Sequence, residues 1–242
     1  MHRFLLIVGL SFAGIFASQG VGQDKSAPET KDNTPPKGFT ALFNGKDLTG
    51  WQGLIDLKKR MKLAATPDKL AEVQKVANEK ILPHWTVKDG VLNYDGKADS
   101  LQTAKDYGNV ELYVDWKIGP KGDSGIYLRG NPQVQIWDTT KEAGYWKHGA
   151  DKGSGALWNN EKNARFPLVH ADRPVGEWNT MYIKMIGDKV TVKLNGKLVV
   201  DDTPLENVWE RGKPLPVRGP IELQHHGNPL WFKNIYVKEL PD

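Results

Sequence analysis

Three short runs between Val110 and Asp138 alternate apolar and polar residues with the period of two that marks a half-buried β-strand. In the first, Val110, Leu112, Val114 and Trp116 share one face, and Glu111, Tyr113, Asp115 and Lys117 the other. In the second, Ile126 and Leu128 oppose Tyr127 and Arg129. In the third, Val134 and Ile136 oppose Gln133, Gln135 and Trp137. Gly/Pro turns separate the runs, so they read as neighbours in one sheet with a core face and a wet face. The wet face collects carboxylates, an Arg, amides and aromatic rings. That mixture suits a polar, flat-faced ligand such as a sugar better than it suits plain solvation.

The alternation recurs along the chain. Trp85-Thr-Val-Lys-Asp-Gly-Val-Leu predicts a hairpin with an Asp89-Gly90 turn. Asn195-Gly196 marks another, between Val190/Val192/Leu194 and Leu198/Val200, and Gly187-Asp188 a third turn. Ile221 and Leu223 are expected inside, with Glu222, Gln224 and His226 opposite, and Trp231 to Leu240 forms a last strand. The one helical pattern runs from Leu54 to Lys80. Leu54, Leu57, Met61 and Leu63 predict a first helix; Leu70, Val73, Val76 and Ala77 stripe a second, opened by Thr66 as N-cap and Pro67 at the first position. This insert reads as an amphipathic hairpin on the edge of a sandwich; the sharper alternative is a lid over the binding face. Many short strands with turn signals and no alternating helices predict an all-β sandwich. Ala143 to Val169 is a long loop region rich in Gly, Trp and Asn, of the kind that carries function on a rigid scaffold.

Composition narrows the classes. The 242 residues are 39% hydrophobic with nine Trp, enough for a large core. A net charge of +4, without a basic cluster beyond Lys58-Lys59-Arg60, argues against nucleic-acid binding. Residues 1–22 have a basic start, an apolar run from Phe4 to Phe16 and small residues at Ala17, Ser18 and Gly20, which predicts a cleaved export signal; the run is short for a membrane span. Residues 23–37 are polar and Pro-containing and read as a linker, leaving a domain from residue 38 to 242. The expected location is therefore periplasmic or secreted. There is no Cys, which excludes disulfides, thiolate metal sites and a lipid-anchored lipoprotein. No phosphate loop, Gly-x-Ser-x-Gly elbow or His pair with zinc-peptidase spacing is present. No cofactor is required by the sequence; a Ca²⁺ on loop oxygens is compatible with it but unspecified.

Leu42-Phe43-Asn44-Gly45-Lys46-Asp47-Leu48-x-Gly50-Trp51 resembles the opening signature of the bacterial family once called the domain of unknown function 1080 (DUF1080), now described as 3-keto-glycoside lyases and hydratases, or 3-keto-disaccharide hydrolases. Further matches are Trp85-x-Val87-x-Asp89-Gly90-Val91-Leu92, Ser124 to Arg129 and Val134 to Asp138. Others are Gly155-Ala156-Leu157, Gly176-Glu177-Trp178-Asn179, Leu194-Asn195-Gly196, Leu223-Gln224-x-His226-Gly227 and Trp231-Phe232-x-Asn234-Ile235. They run in order from Phe39 to Leu240. The resemblance implies a concanavalin-like lectin/glucanase jelly roll. Two departures stand out: Pro132-Gln133 where the family has Tyr-Glu, and the longer helical insert at 54–80.

What the resemblance implies chemically is cleavage of glycosides already oxidised at C3. The ketone acidifies the C2 proton; its removal gives an enolate, the C1 aglycone leaves, and water adds to the unsaturated ketone. Such an enzyme needs a base near C2, donors for the enolate oxygen and an acid for the leaving oxygen. Histidine titrates closest to neutrality of the ordinary side chains, which makes His226 the base candidate. Arg129 is the candidate for the enolate, and Asp138 and Glu111 for orientation or acid. Gln135, Gln224, Trp137, Tyr127 and Asp115 are candidate sugar contacts. The oxidation itself would fall to a separate sugar oxidoreductase. Two alternatives stay open. A retaining glycosidase would use Glu111 and Asp115, whose Cα atoms lie roughly 13 Å apart by strand rise against the 5–5.5 Å between carboxyls of a double-displacement pair. A carbohydrate-binding module would use the aromatic and amide groups without a base.

Overall fold

The computed structural model describes residues 32–241. The chain runs β1 (Thr40–Ala41), β2 (Trp51–Gly53), α1 (Leu57–Leu63), α2 (Pro67–Ile81), β3 (Trp85–Lys88), β4 (Val91–Tyr94), β5 (Leu101–Thr103) and β6 (Val110–Ile118). It continues through β7 (Asp123–Leu128), β8 (Asn131–Trp137), a long connection, β9 (Asn179–Ile186), β10 (Lys189–Leu194), β11 (Lys197–Pro204), β12 (Glu222–Leu223) and β13 (Leu230–Glu239). Eight strands form one antiparallel sheet in the order β11-β10-β9-β6-β13-β4-β3, with β1 against β13; five form the other, β2-β5-β12-β7-β8. The inward residues of both, among them Leu112 and Val114 of β6 and Ile126 and Val134 of the second sheet, make one buried cluster. The fold is the expected all-β jelly-roll sandwich with a short helical insertion.

Burial along β6 alternates without a break, as its sequence requires. The single sheet expected for residues 110–138 is nevertheless divided. β6 lies between β9 and β13 in the larger sheet, while β7 and β8 belong to the smaller one. The connection Gly119-Pro120-Lys121-Gly122 carries the chain across the sandwich corner, closed by a Gly122 N–H to Gly119 carbonyl bond of 3.0 Å. Alternation sets which residues point inward; it does not choose the sheet. The polar faces of β6 and of β7–β8 therefore point out of opposite sides of the molecule.

A second difference lies at the β7–β8 hairpin. Arg129 and Gly130 are its two turn residues, with φ of +55° and +66°, so Arg129 does not continue the strand face of Tyr127. Positive φ at both turn positions matches the strand twist, but Arg-Gly is not the usual Asn-Gly or Asp-Gly signal.

The helical insert closes an edge. The Asn78 side chain accepts from Gly53 N–H at 2.9 Å and Gln74 donates to the Gly53 carbonyl at 2.8 Å, so α2 occupies the free backbone groups of edge strand β2. Both expected helices appear, but α1 begins at Leu57 and leaves Leu54 outside it. Met61 and Val76 of their apolar stripes are exposed, while Ala77, Ile81 and Leu82 carry the packing. The expected export signal and residues 23–31 of the expected linker lie outside the described residues. The linker's last residues are tied down: Asn33 N–H donates to Asn234 at 2.6 Å and its side chain to the Gly90 carbonyl at 2.8 Å. Among the described residues, no helix is long and apolar enough to cross a membrane.

Candidate functional site

Strand parity sends a concentrated set of polar groups out of the five-stranded sheet. Glu222 of β12 stands opposite Gln102 of β5 on one side and Tyr127 of β7 on the other, so three polar side chains line up across strands. One step along, the Gln224 N–H donates to the Gly125 carbonyl at 2.9 Å, and its side-chain amide to Tyr127 Oη at 3.4 Å. Asp123 shares the parity of Tyr127, and Gln133 and Gln135 of β8 face the same way.

One end of this face is walled. Leu57 of α1 leans over Gly130, where an added Cβ would meet its side chain at 3.2 Å. Trp209 Nε1 donates to the Gly130 carbonyl at 2.8 Å, and Lys58 Nζ to the Trp209 carbonyl at 3.1 Å. Between this wall and His226 lies a cleft of about 520 Å³ whose floor includes Gln102, Glu222, Tyr127 and Gln224.

The floor is chemically unusual. Burial pushes the Glu222 carboxyl up to about 8; hydrogen bonding from Ser100 opposes the shift, and Asp99 and Asp56 reinforce it. Gln102 is fully buried with neither amide atom partnered, and Gln224 Oε1 is also unpartnered. Buried polar atoms in native proteins almost always have partners, and these three have none among the described residues.

The other end holds a His–carboxylate pair. His226 Nδ1 is 3.8 Å from Asp123 Oδ2, and Asp123 Oδ1 accepts from Gln135 Nε2 at 2.7 Å. Gln135 is held in turn by donating to the Ser124 carbonyl at 3.0 Å and accepting from Gln133 Nε2. Burial raises the Asp123 pKa, with His226 and Gln135 opposing. The Asp123 side chain is 15% exposed and that of His226 55%, so the carboxylate is sheltered and the imidazole reachable. Among the described residues, no group of three or more His, Asp and Glu side chains gathers as a metal cluster.

A larger cleft of about 760 Å³ lies among the loops around Glu206 and Arg211. Its charges satisfy one another: Glu206 accepts from the N–H groups of Glu161, Lys162 and Asn163 and pairs with Arg211 at 3.2 Å. It lacks the unpartnered groups that mark the smaller cleft.

The model of the 3-keto-alpha-glucoside-1,2-lyase-like domain family matches residues 38–238. The chain belongs to this family. It is also 24% identical over 257 residues to the 3-keto-disaccharide hydrolase of Bacteroides thetaiotaomicron, covering 84% of this chain and 79% of that protein. Two crystal structures from Parabacteroides distasonis, described provisionally as glycosyl hydrolases, share the fold. One superposes with a TM-score of 0.61 at 23% identity, covering 87% of this chain and all of that one. The other gives 0.60 at 25% identity, covering 96% of this chain and again all of that one. Membership of this 3-keto-glycoside family supports a carbohydrate-active protein.

Of the residues singled out from sequence, His226, Gln135, Gln224 and Tyr127 come together on the five-stranded face. The others lie elsewhere. Glu111 accepts from Lys238 at 3.0 Å and Asp115 from Asn234 at 2.7 Å on the outer face of the opposite sheet, which removes the pair a retaining glycosidase would need from the cleft. Arg129 is buried and ties loops, donating to the Gly108 and Pro216 carbonyls at 3.2 Å and to Asn109 at 2.9 Å. Asp138 caps turns, accepting from Lys121 N–H at 2.7 Å and Thr140 N–H at 2.8 Å. Trp137 is buried with its Nε1 on the Gly153 carbonyl at 3.0 Å, so it offers no stacking platform.

Sequence reasoning alone misses three residues of this face. Asp123 could have been found by extending the parity of Tyr127 back through Gly125; its place beside a Gly/Pro turn hid it. Glu222 was placed on the right face but given no role. Gln102 carried no local signal, because its strand has three residues.

Proposed function

We propose that this cleft cleaves 3-keto glycosides by elimination and hydration. The observation that carries the reading is the His226–Asp123 pair, 3.8 Å apart, beside a cleft floored by Gln102, Glu222, Tyr127 and Gln224. His226 takes the C2 proton; Asp123, held by Gln135, orients the ring and stabilises the imidazolium. The C2–H electron pair forms C2=C3 and the ketone electrons move to O3. As the C3 carbonyl re-forms, the C2=C3 pair becomes C1=C2, the C1–O bond breaks and the aglycone oxygen takes the proton that His226 removed. Water then adds at C1, with a proton returned to C2. Gln224 and Tyr127 hold sugar hydroxyls, and the wall of Leu57 and Trp209 bounds the bound ring.

The amino-terminal pattern supports export, which would place this step outside the cytoplasm after an oxidoreductase has made the 3-keto sugar. A direct glycosidase reading finds Asp123 and Glu222 on one face. Asp123, however, is four residues along β7 from Tyr127, the cross-strand partner of Glu222. Strand rise makes that roughly 13 Å, beyond the 5–5.5 Å of a double-displacement pair.

The test is product analysis by NMR in D₂O with a 3-keto-disaccharide and its unoxidised form. Cleavage of the keto form alone, with deuterium at C2, is expected. Cleavage of the unoxidised sugar would make the protein a glycosidase, and binding without cleavage a lectin-like module.

A further inference from the structure

Building on the reaction just proposed, we propose that His225, held by Asp99, is a second acid–base group of the cleft and takes the proton of the water that adds at C1. The chain leaving β12 carries two histidines in succession, with Cα atoms about 3.8 Å apart, and both line the cleft. Each imidazole meets a carboxylate: His226 Nδ1 lies 3.8 Å from Asp123 Oδ2, and His225 Nε2 lies 3.3 Å from Asp99 Oδ1. Proton removal at C2 occupies only the first pair.

The sheet order sets the two pairs apart. β12 runs between β5 and β7. Asp123 opens β7 on one flank, and Asp99 stands two residues before β5 on the other. The segment after β12 is tied to both flanks in turn: Gln224 N–H donates to the Gly125 carbonyl at 2.9 Å, and His225 N–H to Ser100 Oγ at 3.1 Å. Asp99 is itself fixed, its Oδ1 accepting from Ser100 N–H at 2.8 Å and its carbonyl from Trp85 Nε1 at 3.1 Å. Neighbouring histidines are thus drawn to opposite sides of one strand end. The side chains of His225 and Asp99 are 40% and 49% exposed, so water and a ligand can reach the second pair. An imidazole that donates its Nε2–H to Asp99 keeps Nδ1 as the proton acceptor, and one that donates Nδ1–H to Asp123 keeps Nε2.

Hydration of the unsaturated ketone needs two proton transfers at neighbouring carbons. The water oxygen bonds to C1 as its O–H bond breaks, the C1=C2 pair becomes C2=C3, and the ketone pair moves to O3. The ketone then re-forms as C2 takes a proton. His226 is neutral once the aglycone has left, and it takes a solvent proton to give to C2. It cannot hold that proton and accept one from the attacking water at the same time. His225 accepts the water proton at Nδ1 and later releases it to solvent, so protons balance over the cycle. Asp99, as a positioning residue, orients the ring and stabilises the imidazolium.

The experiment follows the whole protein by NMR and ultraviolet absorbance on a 3-keto-disaccharide, then on the isolated unsaturated ketone, with H225Q, H225A and D99N. Wild type is expected to yield the free 3-keto sugar with little unsaturated ketone accumulating. H225Q should release the aglycone within a few-fold of wild type, yet accumulate the unsaturated ketone and hydrate it about 10²-fold more slowly. D99N should move the product ratio the same way by less, whereas a merely structural role would slow both steps together. Added imidazole should restore hydration in H225A without speeding elimination. If H225A does not fold, the product ratio of H225Q still decides. Hydration by H225Q at half the wild-type rate or better, an equal loss of elimination and hydration, or a wild type that stops at the unsaturated ketone would overturn the role of His225 and leave the lyase reading intact. Failure of wild type on any 3-keto sugar would overturn both.

Discussion

Asp123 and His226 are distant in the chain, and the fold brings Oδ2 of one to 3.8 Å from Nδ1 of the other. The carboxylate opens β7 and the histidine follows β12, two strands that lie side by side. The pair exists because β12 reaches back across the chain to dock against β7, with Gln135 of β8 fixing the carboxylate from the far side.

If His226 is the base, H226Q should reduce kcat on a 3-keto-disaccharide by roughly 10²–10⁴. D123N keeps the shape but loses the charge that favours the imidazolium, and should lose less. Loss of deuterium uptake at C2 in H226Q, measured by NMR, is the specific sign; undiminished uptake would assign the base elsewhere.

Glu222 sets a pH dependence of stability that is separate from activity. Its folded-state value of about 8 lies above the ordinary 4.5, so the folded chain keeps a proton that the unfolded chain releases. The Glu222 contribution to stability therefore falls as pH rises from about 4.5 to about 8 and then levels. E222Q carries no such charge. It should match wild type at pH 5 and exceed it at pH 9 by on the order of 4 kcal/mol, since each tenfold difference in proton affinity between the folded and unfolded chain is worth about 1.4 kcal/mol. Urea unfolding at the two pH values measures this, and equal midpoint differences at both would refute it.

Arg129 should prove structural. Its guanidinium holds the Gly108 and Pro216 carbonyls and Asn109 together from a buried position. R129A leaves these acceptors without their charged donor and should cost about 2–4 kcal/mol. Its kcat on the folded fraction should stay within a few-fold of wild type. A large kcat loss without a stability loss would return Arg129 to the chemistry.

Glu206 organises the loop at 161–163. Partial burial alone would raise its pKa, but N–H groups of Glu161, Asn163 and Lys162 and the Asn163 side chain bring it to about 2. Its contribution is present above the ordinary carboxylate range and is lost as pH falls toward 2. In E206Q the amides of residues 161–163 should exchange hydrogen faster at neutral pH, where wild type protects them. Equal protection in both would show that the loop is held by other contacts.

The insert should tolerate no bulk at Gly53. A Cβ there would lie 2.8 Å from the Ala77 carbonyl oxygen, a backbone atom of α2 that cannot move alone. G53A should destabilise by about 1–3 kcal/mol, the usual cost of overpacking, read as a shift in thermal midpoint; an unchanged midpoint would mean that α2 is not seated on β2.

Local order was legible in the chain. Alternation in β6, β7 and β8 told which residues point inward, Asp89-Gly90 and Asn195-Gly196 told where hairpins turn, and Thr66-Pro67 told where α2 begins. These depend on neighbours in sequence, where sterics and the pleat act directly. The tertiary structure alone decided which sheet each strand joins, because strand pairing is a long-range choice that period-two alternation does not encode. That choice sent Glu111 and Asp115 to one side of the sandwich and Tyr127 and Gln135 to the other. It also drew Asp123 to His226 and Gln102 to Glu222, pairs whose members are about a hundred residues or more apart and whose chemistry arises from burial that only the packed sheet and its helical wall provide.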